Sequence, residues 1–219
     1  MTSTSTHSRT LFLMPLFVLL FTRLGIELYA HILPMHVSWI PSFITYYVSI
    51  EICLWFAKRK TSSTVASRTS IMLPLPKIKY MVFGVVLPAI IPLGVFISNY
   101  KAVPWSSYAY ILVFASINPF FEEAFWRGLF INLAISAWKR QLLSGLLFSF
   151  SHYFLWGAYW LSNPRVLIPT CITTFIMGWC WMWFYQRDRR LLYPILSHVA
   201  VDVFNLSIAV FMGLRLANT

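Results

Sequence analysis

MVFGVVLPAIIPLGVFIS, residues 81–98, holds no charged side chain over a length that suffices to cross the hydrocarbon of a bilayer. VLIPTCITTFIMGWCWMWFY, residues 166–185, has the same character. The rest of the chain agrees with these two runs. Apolar residues make up 59% of its 219 positions, charged residues only 11%, and the mean hydropathy is +0.71. An ordinary soluble domain is about one quarter charged. The fold class expected is therefore all-α, a polytopic bundle of transmembrane helices forming a single integral membrane domain over residues 1–219.

Working outward from those runs, seven apolar segments can be traced, at about 11–33, 38–57, 81–98, 106–138, 141–161, 166–185 and 191–213, the long fourth one with a break expected at Asn118-Pro119. The polar start MTSTSTHSRT is followed by a long apolar run without a small-residue cleavage site, which reads as a retained first span. The ending LRLANT carries no prenylation box. Cys53, Cys171 and Cys180 lie inside apolar segments, form no CxxC pair, and read as small packing residues.

A formal net charge of +11 invites a nucleic-acid reading, but the basic residues fall in short loops between apolar runs and not on one face, so no nucleic-acid partner is expected. In alternating loops, twelve lysines and arginines stand on one side (Arg9, Lys58, Arg59, Lys60, Arg68, Lys77, Lys79, Lys139, Arg140, Arg187, Arg189, Arg190) and three on the other (Lys101, Arg165, Arg215). Positive charge is retained on the cytoplasmic side, so the N-terminus is expected in the cytoplasm and, after seven spans, the C-terminus outside.

Against this background a few polar residues stand out, because a charged side chain at mid-membrane costs about 2.5–3.5 kcal/mol on the insertion scale. Arg23 and Glu27 are four apart and can neutralise one another; Glu51 lies near the basic loop and can snorkel toward it. The stretch FFEEAFWRG, 120–128, holds two of only six acidic residues. Glu123 and Arg127 have the i,i+4 spacing of an intrahelical ion pair, with the glutamate first, the favoured order. Glu122 points about 100° away around the helix and is left without a local partner. Such a carboxylate is available as a general base. His152 follows Phe148 by one turn in FSFSHYF, and His198, Asp202 and Asn205 share a face in SHVAVDVFN. A histidine and an aspartate so spaced can share a metal, or one can orient the other. The expected topology brings Glu122, His152, His198 and Asp202 together between mid-membrane and the cytoplasmic face, as an active site assembled from three helices.

These residues resemble the motifs of the CAAX protease and bacteriocin-processing family of intramembrane proteases, which includes the type II CAAX prenyl endopeptidases. EExxxR occurs as Glu122 to Arg127, FxxxH as Phe148 to His152, and HxxxN or HxxxD as His198 to Asp202, in that order over a core of about 106–205. The first three spans carry no motif. The resemblance implies an endopeptidase in which Glu122 activates water with help from His152 and His198, acting on a protein or peptide substrate in contact with membrane lipid. In the prenyl-processing branch the last motif position is usually Asn, which can donate to the oxyanion of the tetrahedral intermediate. Here it is Asp202, which must be protonated to donate, yield that role to Asn205, or serve as a metal ligand. This departure fits a broader prokaryotic member, in a prokaryotic cell membrane with its active site toward the cytoplasm.

Glu122, His152, His198 and Asp202 could also hold zinc, with a position left open for water, although no HExxH is present. Two other functions compete with hydrolysis. One is a catalytically silent membrane scaffold or bacteriocin-immunity protein of the same fold, against which the intact Glu122, His152 and His198 speak. The other is a proton-coupled transporter, since buried Glu and His also build proton relays; the inverted repeats that would support a carrier are not evident.

Overall fold

The structure is a computed structural model that describes residues 3–60, 82–160 and 163–214. No strand occurs among the described residues. In chain order the helices are α1 (Ser3–Ile32), α2 (Met35–Lys60), α3 (Leu87–Asn99), α4 (Trp105–Glu123), α5 (Ala137–Ser151), α6 (Pro164–Asp188), α7 (Leu192–Phe204) and α8 (Ser207–Phe211). Among the described residues, four helical stretches are long and apolar enough to cross a membrane: Leu11–Ile32, Met35–Arg59, Gly84–Ala102 and Pro164–Asp188. Leu192–Phe204 is apolar but shorter. The protein is thus an all-helical bundle of membrane character. Of the basic loop expected at 58–80, Lys58 and Arg59 end α2, while residues 61–81 lie outside the described residues, as does Arg215.

The distribution of side chains is that of a protein dissolved in lipid. Leu13, Leu20, Leu24 and Leu28 of α1 and Ile90, Ile91 and Ile97 of α3 are exposed, while Glu122, Glu123, Arg127, His198 and Asp202 are buried. Hydrocarbon leaves nothing to gain by hiding leucine, and it penalises every uncompensated polar group, so the polar residues turn inward. Small residues let backbones approach. A Cβ on Gly178 of α6 would stand 3.0 Å from the Cα of Gly145 in α5. These two glycines set the α5–α6 crossing. Between α1 and α2 the hydroxyls of Tyr29 and Thr45 meet at 3.0 Å.

Departures from regular helix cluster where the motifs are. Three π-helical turns occur among the described residues: Val82–Val86 before α3, Ala124–Leu129 after α4, and His152–Gly157 after α5. The second begins immediately after Glu122-Glu123 and the third begins at His152. Such turns insert an extra residue and re-aim the side chains beside them. The break expected at Asn118-Pro119 does not occur: α4 runs through it, and the irregularity starts at Ala124. Proline removes one N–H from the ladder, a loss a buried helix tolerates when neighbours hold it straight. The segment expected as one span at 191–213 is instead two helices, with Leu206 left-handed between them (φ 57°).

Candidate active site

Glu122 comes from the last turn of α4 and is 1% exposed. Its Oε1 accepts a hydrogen bond of 2.9 Å from the Tyr46 hydroxyl of α2, and the indole N–H of Trp126 donates to that hydroxyl at 3.0 Å. Among the described residues its Oε2 has no hydrogen-bond partner, but it lies 3.4 Å from His198 Nε2. One oxygen is therefore anchored while the other is available.

Glu123, adjacent in sequence, has different company. Its Oε2 lies 3.0 Å from Arg127 Nε, with both side chains fully buried, and its Oε1 meets His198 Nδ1 at 2.9 Å. The expected ion pair thus forms, but Glu123 also bridges to α7. The Arg127 guanidinium, whose nitrogens make no hydrogen bond among the described residues, lies over the rings of Phe148 (4.5 Å) and Trp181 (5.1 Å). Ring faces are the sort of apolar surface on which a delocalised cation is stabilised.

His198 is the hub. Its ring stacks on Trp181 with centroids 4.7 Å apart, and the Trp181 indole N–H is itself fixed on Ser197 Oγ at 2.9 Å. Besides Glu123 on Nδ1, its Nε2 faces Glu122 Oε2 at 3.4 Å and Asp202 Oδ1 at 3.5 Å. With these carboxylates ionised, both ring nitrogens face acceptors only, so the ring carries a proton on each. Three buried carboxyls around the permanent cation Arg127 require such protons, because uncompensated charge is expensive to bury.

His152 is half-buried and lines the same cavity as Glu122, His198 and Asp202. Its Nδ1 lies 2.8 Å from the Phe148 carbonyl. A carbonyl only accepts, so Nδ1 is the protonated nitrogen and the neutral ring keeps its lone pair on Nε2. Phe148 is a shared wall, with ring centroids 4.5 Å from His152 and 5.9 Å from His198. Asp202 accepts at Oδ2 from the side-chain amide of Asn118, 3.0 Å away. Asn205 lies past the end of α7, where its Oδ1 accepts from the Ser207 backbone N–H at 2.9 Å; it also lines the cavity.

The cavity, about 380 Å³, is bounded by α2, α3, α4, α5, α6, α7 and α8. Its lining takes in Trp181 and His198 as well as Asn99, Arg165 and Ser207. Among the described residues, no group of three or more His, Cys, Asp or Glu side chains is arranged so as to hold a metal ion. Of the donors expected to bind zinc, Glu122 and Asp202 also engage Tyr46 and Asn118, and His152 engages the Phe148 carbonyl.

Tyr46, Tyr47, Asn118, Trp126 and Trp181 were not among the expected site residues. Asn118 had a readable signal, an amide inside an apolar helix four residues before Glu122 and so on its face. The tyrosines of α2 had none, because hydroxyls at 46 and 47 acquire meaning only when α2 packs on α4.

A helical membrane protein that gathers a glutamate, two histidines and an aspartate around one cavity has the chemical groups of a hydrolase. Residues 104–204 match the family model described as type II CAAX prenyl endopeptidase Rce1-like, and the match supports membership of the CAAX protease family. That family implies a membrane endopeptidase, with a peptide substrate met at the membrane. No curated protein and no solved structure is significantly similar to the chain.

Proposed function

We propose that this protein is an intramembrane endopeptidase in which Glu122 is the general base. The observation that carries the reading is the asymmetry of that carboxylate: Oε1 is held by Tyr46, while Oε2 has no hydrogen-bond partner and Glu122 lines the cavity. Water in the cavity gives a proton to Glu122 Oε2, and its oxygen attacks the scissile carbonyl carbon. The carbonyl π electrons move onto oxygen, forming the oxyanion. His152 accepts the second O–H of the water at Nε2 and so orients it. His198, fixed by Glu123 and Trp181, keeps Oε2 aligned. On collapse the C–N bond breaks, and Glu122 returns its proton to the departing amine. Water and one peptide bond yield one acid and one amine.

The substrate of the matching family is a prenylated tail; here the proposed class is a membrane-associated protein or peptide. The departure at Asp202 favours a prokaryotic cell membrane, and the charge pattern favours Glu122, His198 and Asp202 in its cytoplasmic half. The test is proteolysis in detergent with membrane-peptide substrates. Glu122→Gln keeps the shape and removes the base, so cleavage falls by about 10²–10⁴-fold, the range of general-base contributions, while the melting temperature stays. A well-folded Glu122→Gln that still cleaves overturns the assignment. Metal analysis of the same sample, with activity after a strong chelator, decides the zinc alternative: loss on chelation and recovery with zinc would place a metal in the site.

A further inference from the structure

The proposed hydrolysis leaves one requirement unassigned: a donor to the oxyanion. Asp202, ionised, cannot be that donor, and the structure shows it already accepting from Asn118. Asn118 is one turn before Glu122 on α4, 4% exposed, and lines the cavity with Glu122, His152 and His198. Its orientation is fixed from both ends. A carboxylate only accepts, so the NH₂ end faces Asp202 at 3.0 Å, and the carbonyl end then takes the Tyr47 hydroxyl at 3.2 Å. Asp202 uses one of the two N–H groups. Among the described residues nothing claims the other.

We infer that Asn118 is the oxyanion donor of this enzyme, with Asp202 and Tyr47 as the residues that position its amide. The inference rests on the endopeptidase reading given above. Side chains at i and i+4 have Cβ atoms about 5–6 Å apart, which leaves room for a scissile carbonyl with its carbon toward Glu122 and its oxygen toward Asn118. The pair formed by Asn118 and Asp202 also explains why an aspartate is tolerated at the last motif position. The amide stands on α4, and the carboxylate on α7 holds it. Nothing about the carbonyl's electrostatic needs changes, since a preorganised N–H aimed at the developing charge serves from either helix.

Kinetics of peptide cleavage by the full-length protein in detergent test this with four variants: Glu122→Gln, Asn118→Ala, Asn205→Ala, and the exchange of Asn118→Asp with Asp202→Asn. Asn118→Ala should lower kcat by about 10²–10³-fold, the loss seen when one oxyanion donor is removed, with KM shifted far less. The exchange rebuilds a carboxylate–amide pair with the amide on α7, and should regain at least about tenfold of the lost kcat. A purely structural asparagine would not be rescued in kcat by an amide placed across the cavity. Asn118→Ala holding wild-type kcat within about threefold, while Glu122→Gln is dead, overturns this inference and leaves the endopeptidase reading standing. A larger loss in Asn205→Ala than in Asn118→Ala assigns the donor to Asn205 and likewise overturns it. If Asn118→Ala does not fold, the exchange alone decides: no turnover in a folded exchange protein counts against Asn118. A wild type that cleaves no peptide, with a native melt, overturns the endopeptidase reading itself.

Discussion

Two arginine–glutamate pairs in this chain have the same i,i+4 spacing and nearly the same length, yet they do unrelated work. Arg23 and Glu27 of α1 meet at 2.8 Å with side chains 23% and 51% exposed, whereas Glu123 and Arg127 meet at 3.0 Å with both 0% exposed. The outer pair has alternatives. Arg23 also donates to the Phe154 carbonyl at 2.7 Å and lies over the Tyr159 ring, pinning α1 to the end of α5. The inner pair has none, and its glutamate reaches on to His198. Spacing along a helix predicts that two charges will pair. It does not tell what losing the pair will cost, which depends on burial and on the third group that shares the carboxylate.

The largest effect expected from breaking this contrast is at Glu123. Glu123→Gln takes from the buried Arg127 its ion-pair partner, and breaking a buried pair costs about 3–5 kcal/mol. It should lower thermal stability strongly in a detergent melt and remove activity as well, since His198 loses its Nδ1 anchor. Replacing both partners, Glu123→Met with Arg127→Met, should restore much of the stability, because two apolar side chains of similar volume need no compensation. Activity should stay lost. A double variant as unstable as the single one would show that the pair is not the source of the cost.

A smaller effect is expected at Tyr46, which links the inner site to α2. Tyr46→Phe removes the donor to Glu122 Oε1 and strands the Trp126 indole N–H; one buried hydrogen bond is worth about 0.5–1.5 kcal/mol, with somewhat more when the acceptor is charged. Cleavage should fall by about tenfold, with a modest drop in melting temperature. Unchanged kcat in Tyr46→Phe would mean that Oε1 needs no anchor and that the asymmetry of Glu122 has another origin.

The same two pairs show what the sequence could and could not disclose. Apolar length settled that the chain is a helical membrane protein, because the backbone has few options in hydrocarbon. The i,i+4 rule found both ion pairs and placed Glu122 on a different face from Glu123. What it could not find were contacts between helices. The prediction that Glu123 is spent on Arg127 overlooked His198, which is 75 residues away in sequence and 2.9 Å away in space. Asn118 was read as the edge of a proline break because Pro119 follows it. The helix continues through that point, and the asparagine faces Asp202 instead. Spacing also carried no sign of the cavity running toward Arg165, since a void belongs to the packing of whole helices.

The smallest effect should come from the outer pair, and it completes the comparison. Arg23→Met removes the partner of Glu27, but Glu27 is half exposed and stands near the end of α1, where a freed carboxylate can reach the membrane interface. Something is added by the bond to the Phe154 carbonyl and by the ring contacts with Phe154 and Tyr159, which couple α1 to the turn after His152. The expected result is a melting temperature lowered by a few degrees at most, the shift that about 1 kcal/mol gives in a chain of this size. Cleavage should stay close to wild type, since no described side chain of α1 lines the cavity. Loss of activity in Arg23→Met with an unchanged melt would contradict this, and would mean that the α1–α5 contact sets the position of His152 and that the two pairs are coupled after all.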